Sequence, residues 1–461
     1  MNKSALFRAV CSLGLLALSS FLLAADSGLN GTRNDAEATL AETQLIFEAL
    51  PENDESRSAY ASALFKLGNV WEAIDVITPL ITEESINTDN LELAGRLALL
   101  TMDFDISEQL YHRVLEISPP ESEEYSDALN GLSLVYYQQD EFDKAEEIIV
   151  PFSELNNSDN ALLDYMQKYP GNPYEIHWYG PEKVARIPFI NDYMAPGALP
   201  MMNMEVNGHS FEFILDTGGN RLYLDEGAAE EAAIEAFTSV TARYAFTGGE
   251  TIDQPLGVAN SIRFENLEVR NVPTDVIPLA QQGVQADGII GTQILKQFLT
   301  SVDYELGQMI LRERNEEGKA NFIQSMSNRD LVQIPFFLSA THLMFAKGKL
   351  HGMEDVNYFI DSGLAASMPI VLPNETTELL GLEKTEIPNQ PYYVASINQH
   401  GLNGFEKGPA MALGNVFVED DIYWNQGFVL DALISHQYLK DLGVWTIDFD
   451  TMSFYFPENA N

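Results

Sequence analysis

Two kinds of hydrophobic pattern divide this chain. From about residue 30 to residue 175, apolar residues recur with the 3.6-residue period of an amphipathic helix. After Tyr169-Pro170-Gly171 the pattern changes to short β-branched and aromatic runs, broken by Gly, Pro and Asn, which predict strands and turns. The pattern therefore predicts an all-α N-terminal domain followed by a mostly β region.

The helical region contains an internal repeat. Three small residues at expected helix contacts, Ala73, Ser107 and Ala145, are spaced 34 and 38 residues apart. Gly95 and Pro119 fall where a helix pair needs a close contact and a stop. Apolar residues stand three positions before and four positions after each small residue, on one predicted helical face: Val70, Phe104, Phe142, Ile77, Tyr111 and Ile149.

With this period the region resembles tetratricopeptide repeats, in which helix pairs of about 34 residues stack because one pair cannot bury its own apolar face. The resemblance covers roughly 120 residues. The aromatic residue near the repeat start is absent, and an insertion at residues 120–126 stretches the last spacing. The resemblance implies a domain that holds a partner or a peptide and performs no chemistry. An ordinary helical bundle is the alternative.

The first residues have the pattern of an export signal. Lys3 and Arg8 precede an apolar run from Ala9 to Ala25. We predict a signal peptide over residues 1–25, cleaved near Asp26, and a mature protein that is periplasmic or secreted, without stable membrane insertion. An uncleaved anchor is the alternative, because a run of about 17 residues reaches the lower limit of a membrane span.

Composition excludes several kinds of chemistry. The only cysteine, Cys11, lies in the signal segment, so the mature chain has no thiol for disulfides, thiolate catalysis or zinc binding. The seven histidines have no ligand-like spacing. Signatures of serine hydrolases, zinc peptidases and phosphate-binding loops are missing as well. We therefore expect neither a metal nor a cofactor.

The charge balance is strongly acidic. The chain has 69 acidic and 25 basic residues, and its net charge is −44. The electrostatic field of so large a negative charge repels phosphate backbones and anionic lipids, so we expect no nucleic-acid partner. The acidic excess either keeps the protein soluble or attracts basic peptide substrates.

The β region repeats itself. Four segments recur in the same order, at offsets of 144 to 147 residues, which predicts two homologous lobes. The pairs are Ile-Pro-Phe at 187–189 and 334–336, Phe-Ile-Leu-Asp-Thr-Gly at 213–218 with Tyr-Phe-Ile-Asp-Ser-Gly at 358–363, Asp-Gly-Ile-Ile-Gly at 287–291 with Asp-Ala-Leu-Ile-Ser at 431–435, and Val-Asp-Tyr at 302–304 with Ile-Asp-Phe at 447–449.

An apolar strand ending in Asp-Thr/Ser-Gly, followed about 70 residues later by an apolar pair and a Gly, resembles the lobe of bacterial retropepsin-like and pepsin-like aspartic peptidases. The resemblance covers about 280 residues. It implies a mostly β, bilobal, pepsin-like acid protease fold with lobe 1 at residues 176–325 and lobe 2 at residues 326–461. These lobes follow the tetratricopeptide-like domain, which we place at residues 26–175. Ser435 departs from the family pattern, which has Gly at this position.

The same resemblance implies an active site made of Asp216 and Asp361. Two carboxylates brought together cannot both ionise readily, so the pair shares one proton. In the family, the ionised member takes a proton from a water that attacks the peptide carbonyl, while the protonated member supports the oxyanion. The residues that follow each Asp would support the active-site loops by a hydroxyl bond to the opposite lobe and by close backbone approach: Thr217, Gly218, Ser362 and Gly363.

A candidate flap lies about 30 residues beyond Asp216. The segment Tyr-Ala-Phe-Thr-Gly-Gly at residues 244–249 includes Phe246, Gly248 and Gly249. It fits either a hairpin that covers the cleft or an ordinary hairpin turn.

The resulting interpretation is an exported aspartic endopeptidase that hydrolyses peptide or unfolded-protein substrates, with the repeat domain recruiting substrate or a protein partner. The alternative is a catalytically inactive, peptidase-derived peptide-binding or protein-binding protein, for which Ser435 is the main hint. Because all four repeated segments lie beyond residue 180, we also expect the β region to fold without the repeat domain.

Overall fold

The computed structural model describes residues 18–19, 33–156, 161–169, 171–243, 251–388, 390, 392–415 and 427–458. Apart from residues 18–19, the predicted signal segment lies outside the described residues, and so do Phe246, Gly248 and Gly249 of the candidate flap. No helix in the described part of the chain has both the length and the apolar character needed to span a membrane.

The described N-terminal region is helical. Asn53, Asn87 and Ser122 each accept a hydrogen bond from the backbone N–H three residues later, so the first helix of every pair begins with the same kind of cap. The helices are Arg33–Ala49 (α1), Asp54–Lys66 (α2), Val70–Ile77 (α3), Thr88–Leu100 (α4), Phe104–Ile117 (α5), Glu123–Gln138 (α6), Phe142–Asn156 (α7) and Ala161–Lys168 (α8).

Helices α2 to α7 form three successive pairs, as the repeat predicts. The second helix of each pair begins at Val70, Phe104 or Phe142, the positions that the repeat aligns. The three small residues at the predicted contacts are fully buried. At one of these contacts, the Ser107 hydroxyl donates to the carbonyl of Gly95 at 2.7 Å. The tetratricopeptide-like architecture is therefore confirmed.

The β region begins after α8. Its first half contains Glu175–Trp178 (β2), Val184–Pro188 (β3), Met201–Val206 (β4), His209–Leu215 (β5), Leu222–Asp225 (β6), Glu226–Glu231 (α9), Ala236–Arg243 (β7), Thr251–Phe264 (β8), Leu267–Ile277 (β9), Gly288–Ile290 (β10), Thr292–Leu295 (α10), Phe298–Asp303 (β11), Gln308–Glu313 (β12) and Glu316–Ser325 (α11). A two-residue strand, Leu18–Ser19 (β1), pairs with the end of β7.

The second half repeats this plan. Its elements are Leu331–Leu338 (β13), Met344–Leu350 (β14), Met353–Ile360 (β15), Ile370–Pro373 (β16), Asn374–Leu379 (α12), Thr385–Glu386 (β17), Tyr392–Ile397 (β18), His400–Leu402 (β19), Ala410–Asn415 (β20), Ala432–Ile434 (β21), His436–Lys440 (α13), Val444–Asp448 (β22) and Ser453–Pro457 (β23).

Equivalent strands have equivalent partners in the two lobes. In lobe 1, β10 runs parallel to β5 and antiparallel to β6. In lobe 2, β21 runs parallel to β15 and antiparallel to β16. The bilobal fold that the internal repeat predicts is thereby confirmed.

A sheet shared by both lobes joins them. Six neighbouring strands of this sheet follow the order β13, β23, β22, β11, β12 and β3, so each lobe contributes three strands to the junction. At its centre Ser301 of β11 pairs with Thr446 of β22, and their hydroxyls lie 2.7 Å apart. These two residues are separated by 145 positions, which is the offset of the sequence repeat, so the pseudo-twofold axis passes between them.

The helical domain shares a hydrophobic core with the β region. Phe428 of lobe 2 lies edge-on to Phe65 of α2, with 6.1 Å between ring centroids, and also packs on Phe337 and Phe345. The carbonyl of Leu67, just after α2, accepts hydrogen bonds from the Lys347 and Asn357 side chains of lobe 2. This continuous core argues against the expectation that the β region folds alone.

Charged and polar side chains also join the helical domain to the β region. Arg33 of α1 forms a buried ion pair with Asp431 at 2.5 Å. On the lobe 1 side, Lys296 pairs with Asp140 at 3.0 Å. Gln138 donates to the carbonyl of Ala340 at 2.6 Å. Because a buried charge is costly without its partner, these contacts hold the helical domain to both lobes.

Candidate active site

The two Asp loops begin at the ends of matched strands. Asp216 follows β5, and its N–H donates to the carbonyl of Ile290 at 3.0 Å. Asp361 follows β15, and its N–H donates to Ile434 at the same distance. The neighbouring apolar strands β10 and β21 therefore align both aspartates in the same way.

Reciprocal hydrogen bonds join the two loops. The N–H of Thr217 donates to Oγ of Ser362, and the N–H of Ser362 donates to Oγ1 of Thr217, both at 3.0 Å. Each hydroxyl also donates to a carbonyl of the opposite lobe, Thr217 to Ile360 at 2.6 Å and Ser362 to Leu215 at 3.1 Å. The structure thus places these hydroxyls where the sequence predicts them.

The glycine after each hydroxyl residue lies against the opposite carboxylate. A Cβ on Gly363 would come within 2.2 Å of Cγ of Asp216, and one on Gly218 would come within 2.7 Å of Cγ of Asp361. Each glycine N–H also donates to Oδ1 of the aspartate in its own loop, at 2.7 Å in lobe 1 and 3.0 Å in lobe 2. Only glycine leaves room for the two carboxylates to approach each other.

Burial and mutual repulsion control the ionisation of this pair. Both aspartates are completely buried. Burial raises the pKa of Asp216 to about 6. Burial and the charge of Asp216 raise the pKa of Asp361 well above its usual value. The pair therefore holds one proton across a range in which isolated carboxyl groups would both be ionised.

The remaining oxygen of each carboxyl group, Oδ2, is buried and lacks a hydrogen-bond donor in the described part of the chain. Among the described residues, none donates a hydrogen bond to Oδ2 of Asp216 or Oδ2 of Asp361. The residues after the two motifs, Gly219 and Leu364, have no hydroxyl group to offer. These two buried oxygens therefore have hydrogen-bonding capacity that the described residues leave unused.

The loop of Asp216 has a charged support that sequence reasoning missed. Arg221 is fully buried and forms an ion pair with Asp275 at 3.0 Å. Its Nε donates to the hydroxyl of Tyr137, which belongs to the helical domain. An Arg in a polar stretch usually reaches solvent, so only the tertiary structure identifies this one as buried.

Ser435, the departure from the family pattern, fits its position. Its side chain caps α13 by accepting from the N–H of Gln437 at 3.2 Å and donates to the carbonyl of Met368 at 2.6 Å. The strand before it keeps its contact with Asp361. In the described part of the chain, no three His, Cys, Asp or Glu side chains converge as metal ligands do.

A comparison with protein families finds a match within lobe 1. A family model described as aspartyl protease matches residues 202–294. The chain contains an aspartyl protease domain. This match includes Asp216 and the apolar pair with its glycine at 289–291, whereas Asp361 lies outside it. The pairing of Asp361 with Asp216 therefore depends on the symmetric geometry described above, and not on the family match.

The solved structures that match this chain have low sequence identity to it. Conglutin gamma, a basic 7S globulin from lupine seeds, is 12% identical with a TM-score of 0.40, over 61% of this chain and 96% of that one. Basic 7S globulin from soybean is 11% identical with a TM-score of 0.39, over the same shares. MamA is 16% identical with a TM-score of 0.27, over 30% of this chain and 74% of that one. No curated protein matches this chain.

Proposed function

We propose that this protein is an aspartic endopeptidase that hydrolyses peptide bonds in peptides or unfolded proteins with Asp216 and Asp361. The observation that supports it best is the reciprocal geometry of the two Asp loops, since the matched hydrogen bonds bring two buried carboxyl groups together and leave Oδ2 of each without a donor among the described residues. A single Asp loop would offer only a base or only an acid.

The reaction follows from the ionisation of the pair. The pair shares one proton, so one carboxyl group acts as the base and the other as the acid, and in the proposed mechanism Asp216 is the base and Asp361 keeps the proton. Asp216 takes a proton from water, the water oxygen bonds to the peptide carbonyl carbon, and Asp361 donates a hydrogen bond to the carbonyl oxygen. When the tetrahedral intermediate collapses, the C–N bond breaks and the leaving nitrogen takes a proton from the pair.

Substitution of the pair tests this function. Asp216→Asn and Asp361→Asn should each lower cleavage of denatured casein at least about a thousandfold, and the double variant should be no worse, because the two groups act as a unit. The matched control is Asp303→Asn, a buried carboxyl that caps a turn by accepting from Leu306 N–H. It should keep activity. Pepstatin should block the wild-type protein.

A folded Asp361→Asn variant with wild-type turnover would contradict the two-carboxylate mechanism. Absence of any cleavage by the wild-type protein would instead favour the second candidate, a binding protein without turnover. Complete burial of both aspartates favours that candidate, because a substrate can reach them only after some rearrangement.

The proposed recruiting role of the helical domain concerns its outer surface. Helices α2, α4 and α6 face the β region, whereas Trp71 of α3 and Ile106 of α5 remain exposed. A protein partner or substrate would therefore contact the second helices of the pairs. Binding measurements on Trp71→Ala and Ile106→Ala would test this surface.

We also propose that the protein is exported and that it is periplasmic or secreted. The basic residues and the apolar run at the start of the sequence support this localisation. Mass spectrometry of the native N-terminus should find a chain that starts near Asp26. A cytoplasmic species that retains residues 1–20 would contradict it.

A further inference from the structure

The hydroxyl of Tyr137 joins the helical domain to the Asp216 loop. Tyr137 lies at the end of α6, and its ring stacks on Phe142 with 5.4 Å between centroids. The hydroxyl accepts hydrogen bonds from two lobe 1 side chains, Nε of Arg221 at 2.8 Å and Nε2 of Gln293 at 3.3 Å. Both donors are buried.

The two donors belong to the segments that shape the loop. Arg221 lies five residues after Asp216, and its carbonyl accepts from the N–H of Gly291 at 2.8 Å. The N–H of Gln293 donates to the carbonyl of Asn220 at 2.8 Å. The tyrosine hydroxyl therefore accepts hydrogen bonds from the side chains of two residues whose backbones lie on opposite sides of this ladder.

Burial makes the hydroxyl important to Arg221. The side chains of Arg221 and its partner Asp275 are both 1% exposed, so water cannot replace a lost partner. The ring of Tyr137 also faces the guanidinium, at 5.5 Å from its centroid. A buried donor that loses its acceptor has to move or remain unsatisfied.

The described residues of lobe 2 offer no polar counterpart of this support. Ala366 stands at the position equivalent to Arg221, and it has no polar side chain. Gln437, the equivalent of Gln293, makes an exposed contact with Asp441 at 3.4 Å. Among the described residues, the helical domain therefore makes this polar contact with the Asp216 loop, whereas Leu364 and Ala366 of the Asp361 loop contribute only apolar contacts to the shared core.

We propose that Tyr137 is a positioning residue for peptide hydrolysis, and that it acts on Asp216 through Arg221 and Gln293. This inference rests on the proposed peptidase function. It makes the helical domain a part of the active-site support, in addition to any role in recruitment. Asp216 is one of the two reacting carboxyl groups, so small displacements of its loop affect the chemical step more than substrate binding.

The test compares Tyr137→Phe with Tyr136→Phe. The first variant keeps the ring, its stacking and its contact with the guanidinium, and removes only the acceptor. Tyr136 is the neighbouring residue on the same helix, is also buried, and donates to Glu108 within the helical domain at 2.8 Å. It therefore controls for the loss of a tyrosine hydroxyl from α6.

We expect kcat per active site, counted by pepstatin titration, to fall about tenfold in Tyr137→Phe with KM nearly unchanged, because the reacting base is misplaced. Amide hydrogen exchange at residues 217–221 should become faster. Tyr136→Phe should match the wild-type protein in both measurements. In a double-mutant cycle, Gln293→Met and Tyr137→Phe should be less than additive, since both remove the Tyr137–Gln293 bond, although Gln293→Met also removes the acceptor of the Tyr174 hydroxyl.

Two results would overturn the inference. One is that Tyr137→Phe matches Tyr136→Phe in kcat and in loop exchange. The other is that its activity falls only in proportion to the folded fraction, with an unchanged kcat per titrated site. If the wild-type protein cleaves no peptide, the proposed function fails, and the exchange comparison alone decides whether Tyr137 positions the loop.

Discussion

Gly291 and Ser435 occupy equivalent positions beneath the two Asp loops, and they differ because the loops above them differ. A Cβ on Gly291 would lie 2.5 Å from the carbonyl oxygen of Arg221 and 2.6 Å from its backbone nitrogen. In lobe 2 the corresponding space admits a side chain, and Ser435 donates there to Met368. The serine therefore gives no structural reason for loss of catalysis.

The loss of stability should differ between the two positions when each receives the residue of the other. Gly291→Ser should destabilise the protein by about 1–3 kcal/mol, because backbone atoms cannot move aside as a flexible side chain does. Ser435→Gly should cost less than about 1 kcal/mol and leave activity nearly unchanged, since glycine is tolerated at a helix N-cap. Urea unfolding and casein cleavage measure both effects. Equal stability losses in the two variants would show that the lobes are not packed differently here.

Gly219 offers a way to change the pKa of Asp216. A Cβ on Gly219 would lie 3.7 Å from Oδ2 of Asp216, so the hydroxyl of Gly219→Ser can donate to this oxygen. A hydrogen bond to the ionised form lowers a pKa. The acidic limb of the pH–rate profile should therefore move to lower pH, because Asp216 would remain ionised in more acidic solution.

The control for this change is Gly219→Ala. Its methyl group meets the ring of Tyr223 at 3.0 Å, as the serine Cβ does, but it donates nothing. The alanine variant should keep the wild-type pH profile even if its rate is lower. A shift of the acidic limb by the same amount in both variants would attribute the effect to crowding rather than to the hydroxyl.

His342 should make the protein less stable in acid. This residue is fully buried at the turn between β13 and β14, and among the described residues neither ring nitrogen has a partner. Burial, Lys296 and Arg314 lower its pKa well below the usual value. The nearby carboxylates, Asp140 and Asp450, are already paired with those two cations.

The direction in which stability changes with pH follows from proton binding to His342. Below about pH 6.5 the unfolded chain protonates this histidine and the folded protein does not, so stability is lost as pH falls, by about 1.4 kcal/mol per pH unit. His342→Asn should remove this part of the dependence, and asparagine tolerates the left-handed φ of 69° at this position. Urea unfolding between pH 5 and pH 7 measures the slopes. The exposed His209→Asn should keep the wild-type slope, and an unchanged slope in His342→Asn would exclude this role.

The shared core should make unfolding of the helical domain and the β region a single event. Phe428→Ala removes a buried ring from the interface and should cost about 3–5 kcal/mol. The half-exposed Met411→Ala is the control and should cost little. Fluorescence and circular dichroism should follow one transition in the wild-type protein. Separate transitions of the helical and β signals, with only one affected by Phe428→Ala, would show that the two parts fold independently.

Much of this architecture can be predicted from local pattern. The helix pairs follow from small residues such as Ala73 and Ala145 at a nearly constant period, because a repeated helix pair needs the same close contact in each copy. The two lobes and the positions of Asp216 and Asp361 follow from duplicated segments, since a strand and the turn after it are encoded by neighbouring residues.

The sequence by itself thus determined the helix pairs, the two lobes and the two Asp loops. Only the tertiary structure decided that the helical domain and the β region share one core, that Arg221 is buried against Tyr137, and that Ser435 fits beneath its loop. These features join residues far apart in the chain, and Arg221 and Tyr137 are separated by 84 positions. No local pattern encodes which distant side chain will satisfy a buried charge, because that partner is fixed only when the separate elements pack together.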